Sequence, residues 1–346
     1  MRTALDRKSA GQATVELLRR CREIGSPEIA AGAIMRASAP LILVSQHSRS
    51  GGSLFAQLVD GHPKLQVFPH EMNIGFPSKI RWPEIDPDGE ADSLFACLFD
   101  PRLGAFAAKG YRKVGKVQTA SRKDRLAFTY APAQHYALFS DVLPPPPRSR
   151  RQVLDAYFAA FFGSWQRMTM TSPADYIAGF VPALASRRGS VDGFFGDYPD
   201  GRLVSIVRNP SDWVVSRRAH TKSGDVRHGD LQDELRLWNK MADAALDYVQ
   251  RFAERTFLIR FEELVKRRET VMRAFTDWAG LSFDDILLRQ TFDGHPINPN
   301  TNFQDPQKNL AKAAINRRRQ LTWAERAKVF AATSKAQRRL APYFRC

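Results

Sequence analysis

Arg49-Ser-Gly-Gly-Ser53 gathers a basic side chain and two hydroxyls around a pair of glycines, directly after the apolar run Leu41-Ile-Leu-Val44. Glycine lets backbone N–H groups approach an oxyanion closely, serine adds donors, and arginine adds a fixed charge. The chemistry of such a loop is anion binding. A second constellation, Arg208-Asn-Pro-Ser-Asp-Trp-Val-Val-Ser216, also follows an apolar run. An arginine at a strand end and a hydroxyl about two turns into the following helix can converge on one phosphate. A third, His62-Pro63 followed by His70-Glu71, offers groups able to take a proton.

Each constellation has a plainer reading: a small-residue turn, a turn with a surface arginine, an exposed His-Glu pair. Two anion motifs in succession, each at a strand-to-helix junction, favour the functional one. The first loop is not of the GxxxxGK[ST] type. With Gly51 as the second glycine, Gln46 stands at the first and Gly52 at the lysine. HExxH chemistry is excluded as well, because Ile74 stands where the second histidine belongs.

These residues need elements to hold them. The pattern predicts a strand at 41–45 and a helix from about Gly51 to Asp60, stopped by Gly61-His62-Pro63. A second strand-to-helix unit spans 202–220, with its strand at 203–207, and a long amphipathic helix carries Trp238. A third strand, Thr256–Arg260, leads into a helix ending at Gly280. Tyr157, Phe158, Phe161, Phe162 and Trp165 recur at spacings of three and four, the mark of a helix face in the core. Alternating strands and helices predict an α/β fold with a central parallel sheet covered on both faces. Residues 72–150 read as irregular, with Pro144–Pro147 extended. Residues 1–38 read as a helical extension whose weakly apolar face is Val15, Leu17, Leu18, Cys21 and Ile24.

The chain has 346 residues, 43% of them hydrophobic, enough for a sizeable core. Its 52 Lys+Arg against 36 Asp+Glu leave a net charge of +16, which suits a protein that works on anions. Cys21, Cys97 and Cys346 are scattered and form no CxxC, so a reducing compartment is expected. Apolar runs fall short of the roughly 20 residues that span a bilayer, and the N-terminus lacks a signal-peptide core. A cytoplasmic protein is expected, with peripheral membrane contact left open.

The segment His47-Ser-Arg-Ser-Gly-Gly-Ser-Leu54 resembles the 5′-phosphosulfate loop of the sulfotransferases, [KR]-S-G-T-T after a strand. Arg208 to Ser216 resembles the 3′-phosphate motif of the same family, R-[DN]-P-x-D-x-x-x-S. The resemblance implies a P-loop-like α/β fold over about residues 40–346 and 3′-phosphoadenosine 5′-phosphosulfate (PAPS) as co-substrate, leaving as adenosine 3′,5′-bisphosphate. No metal is implied. Arg49 would touch the transferred sulfonate and its bridging oxygen. Ser50, Gly51, Gly52, Ser53 and Leu54 would cradle the 5′-phosphate; Gly52 and Ser53 stand in place of the usual threonine pair. Arg208 and Ser216 would hold the 3′-phosphate.

Further matches extend the likeness. Leu258-Ile-Arg-Phe-Glu-Glu-Leu264 resembles a segment in which Glu262 is read as structural, at a helix start. Asn300-Thr-Asn302-Phe303 resembles an N-S-S-F stretch, and Arg317 with Arg318 a C-terminal phosphate-contacting segment; the RKGxxGDW signature of cytosolic small-molecule members is missing. The likeness leans toward bacterial and carbohydrate-type members, which implies Glu71 as the base, with His70 its rival. The implied acceptor is a hydroxyl on a saccharide or glycolipid, in a pocket shaped by about 72–150. His47, His220 and His228 stand near the motifs without an assigned role. Two other readings compete: a nucleic-acid-binding protein, suggested by the charge and by Ile315-Asn-Arg-Arg-Arg-Gln-Leu321, and a non-catalytic nucleotide-binding relative. The first lacks any zinc, RRM or KH pattern, so nucleic acid is not expected. The oligomeric state is open.

Overall fold

The computed structural model describes residues 38–46, 48–74, 81–109, 126, 128–165, 174–221, 230–297 and 317–345. The predicted N-terminal helix, His47, His228 and Asn302 lie outside them. In chain order the main elements are β1 (Leu41–Val44), α1 (Gly52–Val59), β2 (Leu65–Glu71), α2 (Ala91–Leu98), α3 (Arg102–Lys109), α4 (Pro132–Val142) and α5 (Arg150–Gly163). They continue with β3 (Tyr176–Phe180), α6 (Arg188–Asp197), β4 (Arg202–Val207), α7 (Pro210–Thr221), α8 (Leu231–Arg251) and β5 (Thr256–Arg260). Last come α9 (Phe261–Lys266), α10 (Arg268–Ala279), the short hairpin β6 (Thr291–Phe292) with β7 (His295–Pro296), and α11 (Trp323–Leu340).

Five strands form one sheet in the order β2-β3-β1-β4-β5, and every adjacent pair is parallel. Every residue of β1 is buried, as a central strand covered on both faces requires. Its side chains alternate between two cores. Leu41 and Leu43 join the aromatic-rich cluster built with α5 and α6, while Ile42 and Val44 join the cluster under α1 and α10. Tyr157, Phe158, Phe161 and Phe162 lie in the first cluster, as their spacing predicts; Trp165 joins it from beyond the end of α5, bridged to Tyr130.

The structure corrects the reading of 72–150 as irregular, because α2, α3 and α4 lie within it and α5 begins at Arg150. The three are short, of 8, 8 and 11 residues; α2 and α4 have no side-chain N-cap hydrogen bond, while Asp100 Oδ1 accepts from Arg102 N at 3.0 Å at the start of α3. By contrast α5 opens with a complete capping box between Ser149 and Gln152. Two strands also escape the pattern, β2 and β3. Pro69 lies inside β2 and has no N–H to give, which an edge strand tolerates. Among the described residues, no helix is long and apolar enough to cross a membrane.

Candidate active site

The C-terminal ends of β1, β4 and β2 deliver the first two constellations and His70-Glu71 of the third to one edge of the sheet, where ligands of open α/β folds bind; His62-Pro63 lies before β2, at its other end. The β1 loop is built on two residues in the left-handed region, Arg49 at φ 72° and Gly51 at φ 97°. Gly51 is the N-cap of α1. A Cβ there would lie 2.5 Å from the Phe261 ring, so glycine is required twice over. The adjoining Gly52 is equally confined: a Cβ would lie 1.9 Å from Gln46 Nε2 and 2.3 Å from a ring carbon of Phe180. The turn thus presents the first N–H groups of α1 with no side chain at 51 or 52 in the way. Ser50 is buried beside it.

The β4–α7 unit holds that loop in place. Arg208 Nη1 donates to the Arg49 carbonyl at 2.8 Å, and Trp213 Nε1 donates to the Ser48 carbonyl at 3.0 Å. Arg208 itself is buried, lies 4.4 Å from the Phe261 ring centre, and has its carbonyl held by Trp238 Nε1 at 3.0 Å. Asn209 caps the start of α7: its Oδ1 accepts from Ser211 N at 3.0 Å, and its own N–H donates to Glu262 Oε1 at 2.9 Å. Glu262 therefore ties β5 to β4, in keeping with its structural reading. Ser216 is buried on α7, two turns beyond Pro210.

Asp212 brings in the C-terminal segment. Its Oδ1 accepts from Arg318 N at 3.0 Å, drawing the turn Arg317–Gln320 against α7. Three guanidinium groups consequently share one field. Burial pushes Arg208 down to about 10, and the charges of Arg317 and Arg49 push the same way. Burial lowers the pKa of Arg49 and of Arg317 too; the Arg317 charge adds to the effect on Arg49, while Asp212 opposes it at Arg317. Partly buried cations beside a helix N-terminus, offset by Asp212 and Glu262, give this edge a positive character. Arg49, Ser50, Gly51, Gly52, Ser53, Arg208, Ser216, Arg317 and Arg318 all lie around this edge.

Glu71 ends β2 and pairs with Phe180 of β3 across an irregularity in the ladder. Two strand spacings, roughly 10 Å, separate β2 from β1. His70 and Glu71 point to opposite faces, as neighbours in a strand do. The His70 side chain is exposed and lines a small pocket with Ser53, Gln57 and Phe180; its Nδ1 accepts from Glu71 N at 2.6 Å. Glu71 instead lies in a polar group with Arg102, Asp100 and Asn73. Asn73 Nδ2 donates to the Glu71 carbonyl at 2.8 Å and to Asp100 Oδ2 at 3.0 Å. Arg102 is bound to Asp100 and feels the Glu71 charge, which raises its pKa after those contacts. His220 falls in the last turn of α7, and its side chain lies outside the described residues.

Sequence reasoning missed Gln46, Trp213, Phe261 and Asp212 as parts of this site. Asp212 and Trp213 stand inside the quoted motif and Phe261 inside the quoted segment Leu258–Leu264, but of these only Asp212 is at a position that the motif specifies by residue type.

Comparison with known proteins accords with this geometry. In the solved structures, the sulfotransferase domain of an olefin synthase from Synechococcus PCC 7002 superposes with a TM-score of 0.50 at 16% identity, covering 86% of this chain and 95% of that one. The sulfotransferase domain from the curacin biosynthetic pathway gives 0.51 at 16% identity, covering 86% and 98%. At such identities the likeness is one of fold. No curated protein matches the sequence. The model of the sulfotransferase family matches residues 40–285, which include both anion motifs and Glu71 but stop short of Arg317. The chain belongs to the sulfotransferase family.

Proposed function

We propose that this chain transfers a sulfonate group from PAPS to a hydroxyl of a saccharide or glycolipid. The observation that carries the reading is the convergence of Arg49, Arg208 and Arg317 on a glycine loop that opens helix α1. When bound, PAPS supplies a sulfonate on an activated phosphosulfate link. The residues fit such a ligand: glycines at 51 and 52 place no side chain of their own over the first N–H groups of α1, and an anion would offset the charges of Arg49, Arg208 and Arg317. The α1 N–H groups with Ser50, Ser53 and Leu54 hold the 5′-phosphate. Arg208 and Ser216 hold the 3′-phosphate, and Arg317 and Arg318 close over it.

Arg49 sits where charge grows on the bridging oxygen, and stabilising that charge lowers the barrier more than it strengthens ground-state binding. Glu71 takes the acceptor proton. Arg102 sets a positive charge close to it. One observation favours His70 instead, since it shares a pocket with Ser53. Residues 72–150 shape the acceptor pocket, and Asn302 is a further nucleotide contact. The compartment we propose is the cytoplasm.

Purified protein tests the reading. Thermal stabilisation by adenosine 3′,5′-bisphosphate and not by ATP, followed by transfer of 35S from labelled PAPS to glycan or lipid extracts, is the expected result. Salt-dependent retention of oligonucleotides with no nucleotide effect would replace it with nucleic-acid binding. Nucleotide binding with no transfer to any hydroxyl would leave a non-catalytic relative.

A further inference from the structure

Gln46 follows β1 and is 1% exposed. Its main chain is fixed, with the carbonyl accepting from Ala183 N at 2.9 Å. Its side-chain amide is not: neither Nε2 nor Oε1 has a hydrogen-bond partner among the described residues. A buried amide left in that state is costly, and proteins keep few of them. This one is aimed at a particular place. Nε2 lies 1.9 Å from where a Cβ of Gly52 would be, so the amide fills the volume that a side chain on the first residue of α1 would take. Phe180 walls the other side. The helix opens there, with its unpaired N–H groups and three arginines around it.

We infer that the Gln46 amide is the floor of the anion cradle, its Nε2–H donating to an oxygen of the 5′-phosphate seated at the start of α1. Resting on the reading of the site as a PAPS site, this assigns to Gln46 the donor that a glycine at 52 cannot provide. It also explains the combination of residues. Glycine at 52 leaves space for the amide, and the amide supplies the missing polar group. The empty protein carries an unsatisfied amide that the ligand satisfies, so binding and apo stability are opposed at this residue.

The test uses Gln46→Met, which keeps the length and removes the donor. Titration calorimetry compares adenosine 3′,5′-bisphosphate with adenosine 3′-monophosphate, which lacks the 5′-phosphate. The bisphosphate should bind about tenfold to a hundredfold more weakly, as for one hydrogen bond to a charged group, with the monophosphate unchanged. The melting temperature without ligand should hold or rise. Gln46→Glu, which sets a carboxylate beside the anion, should lose the bisphosphate selectively and further. Equal loss of both ligands, unchanged bisphosphate affinity, or a destabilised or unfolded Met variant would each overturn the assignment, because the amide would then be serving the fold. If the wild-type protein binds neither nucleotide, the PAPS reading itself has failed. Wild-type binding with an indifferent variant sinks the Gln46 role alone.

Discussion

Arg208→Met separates holding an anion from holding the loop. The depression of the Arg208 pKa from the usual guanidinium value to about 10 corresponds to about 3 kcal/mol set against the charged form in the folded protein. The sign follows from its direction. Below pH 10 the group is charged in both folded and unfolded chains and the full penalty applies; stability is regained only as pH rises above about 10 toward the ordinary guanidinium pKa. Methionine removes that penalty. It also removes the bond to the Arg49 carbonyl, worth about 1.5–3 kcal/mol for a charged donor, and the contact with the Phe261 ring, worth about 0.5–2 kcal/mol. The opposing changes leave the empty protein within about 2 kcal/mol of wild type, a melting shift of a few degrees for a chain this long. Binding has no such compensation. Loss of a charge-assisted bond to a bound phosphate should weaken adenosine 3′,5′-bisphosphate about tenfold to a hundredfold. Scanning calorimetry without ligand and titration calorimetry with it measure the two quantities. A folded variant of unchanged affinity refutes the anion assignment, and a melting point lower by more than about 10 °C makes Arg208 a strut for the loop.

Glu71→Gln should keep nucleotide affinity and lower turnover by roughly 10²–10⁴-fold, the worth of a positioned base; His70→Ala is the control, and the reverse outcome in steady-state kinetics moves the base to His70. Gly51→Ala meets both a positive φ and the Phe261 ring, so a lower melting temperature and lost nucleotide stabilisation are expected in thermal shift. Asp212→Ala cuts the tie to Arg318 N and should weaken adenosine 3′,5′-bisphosphate in calorimetry although Asp212 is itself an anion; tighter binding in that variant would show that its negative charge outweighs its positioning.

Much of the site was legible because its chemistry is local. A strand, a turn and a helix start within a dozen residues, and the glycines and arginines are confined to types that the backbone and the anion both demand. The same holds for the five aromatic residues from Tyr157 to Trp165, whose period alone gives their burial. What stayed hidden is of two kinds. Short elements with an uncapped start, such as α2, or with a proline inside, such as β2, leave no periodic trace above the background of loops. Contacts between a side chain and a distant main chain leave none at all. Nothing in the types of Trp213 and Ser48 foretells that an indole N–H meets a carbonyl 165 residues earlier.

That hidden class decides how the site works. The loop after β1 keeps a left-handed arginine and a left-handed glycine, conformations that cost energy and persist only where the surroundings fix them. The fixing comes from the β4–α7 unit, through Arg208 on the Arg49 carbonyl and Trp213 on the Ser48 carbonyl. The same unit, through Asp212, sets Arg317 and Arg318 in place. One strand-to-helix junction therefore shapes the loop after β1, supplies Arg208 and positions Arg317 and Arg318, the groups to which the proposal gives the two phosphates of the nucleotide. Damage to it should disturb both ends of the nucleotide at once, whereas damage at Gln46 should be felt at the 5′ end alone.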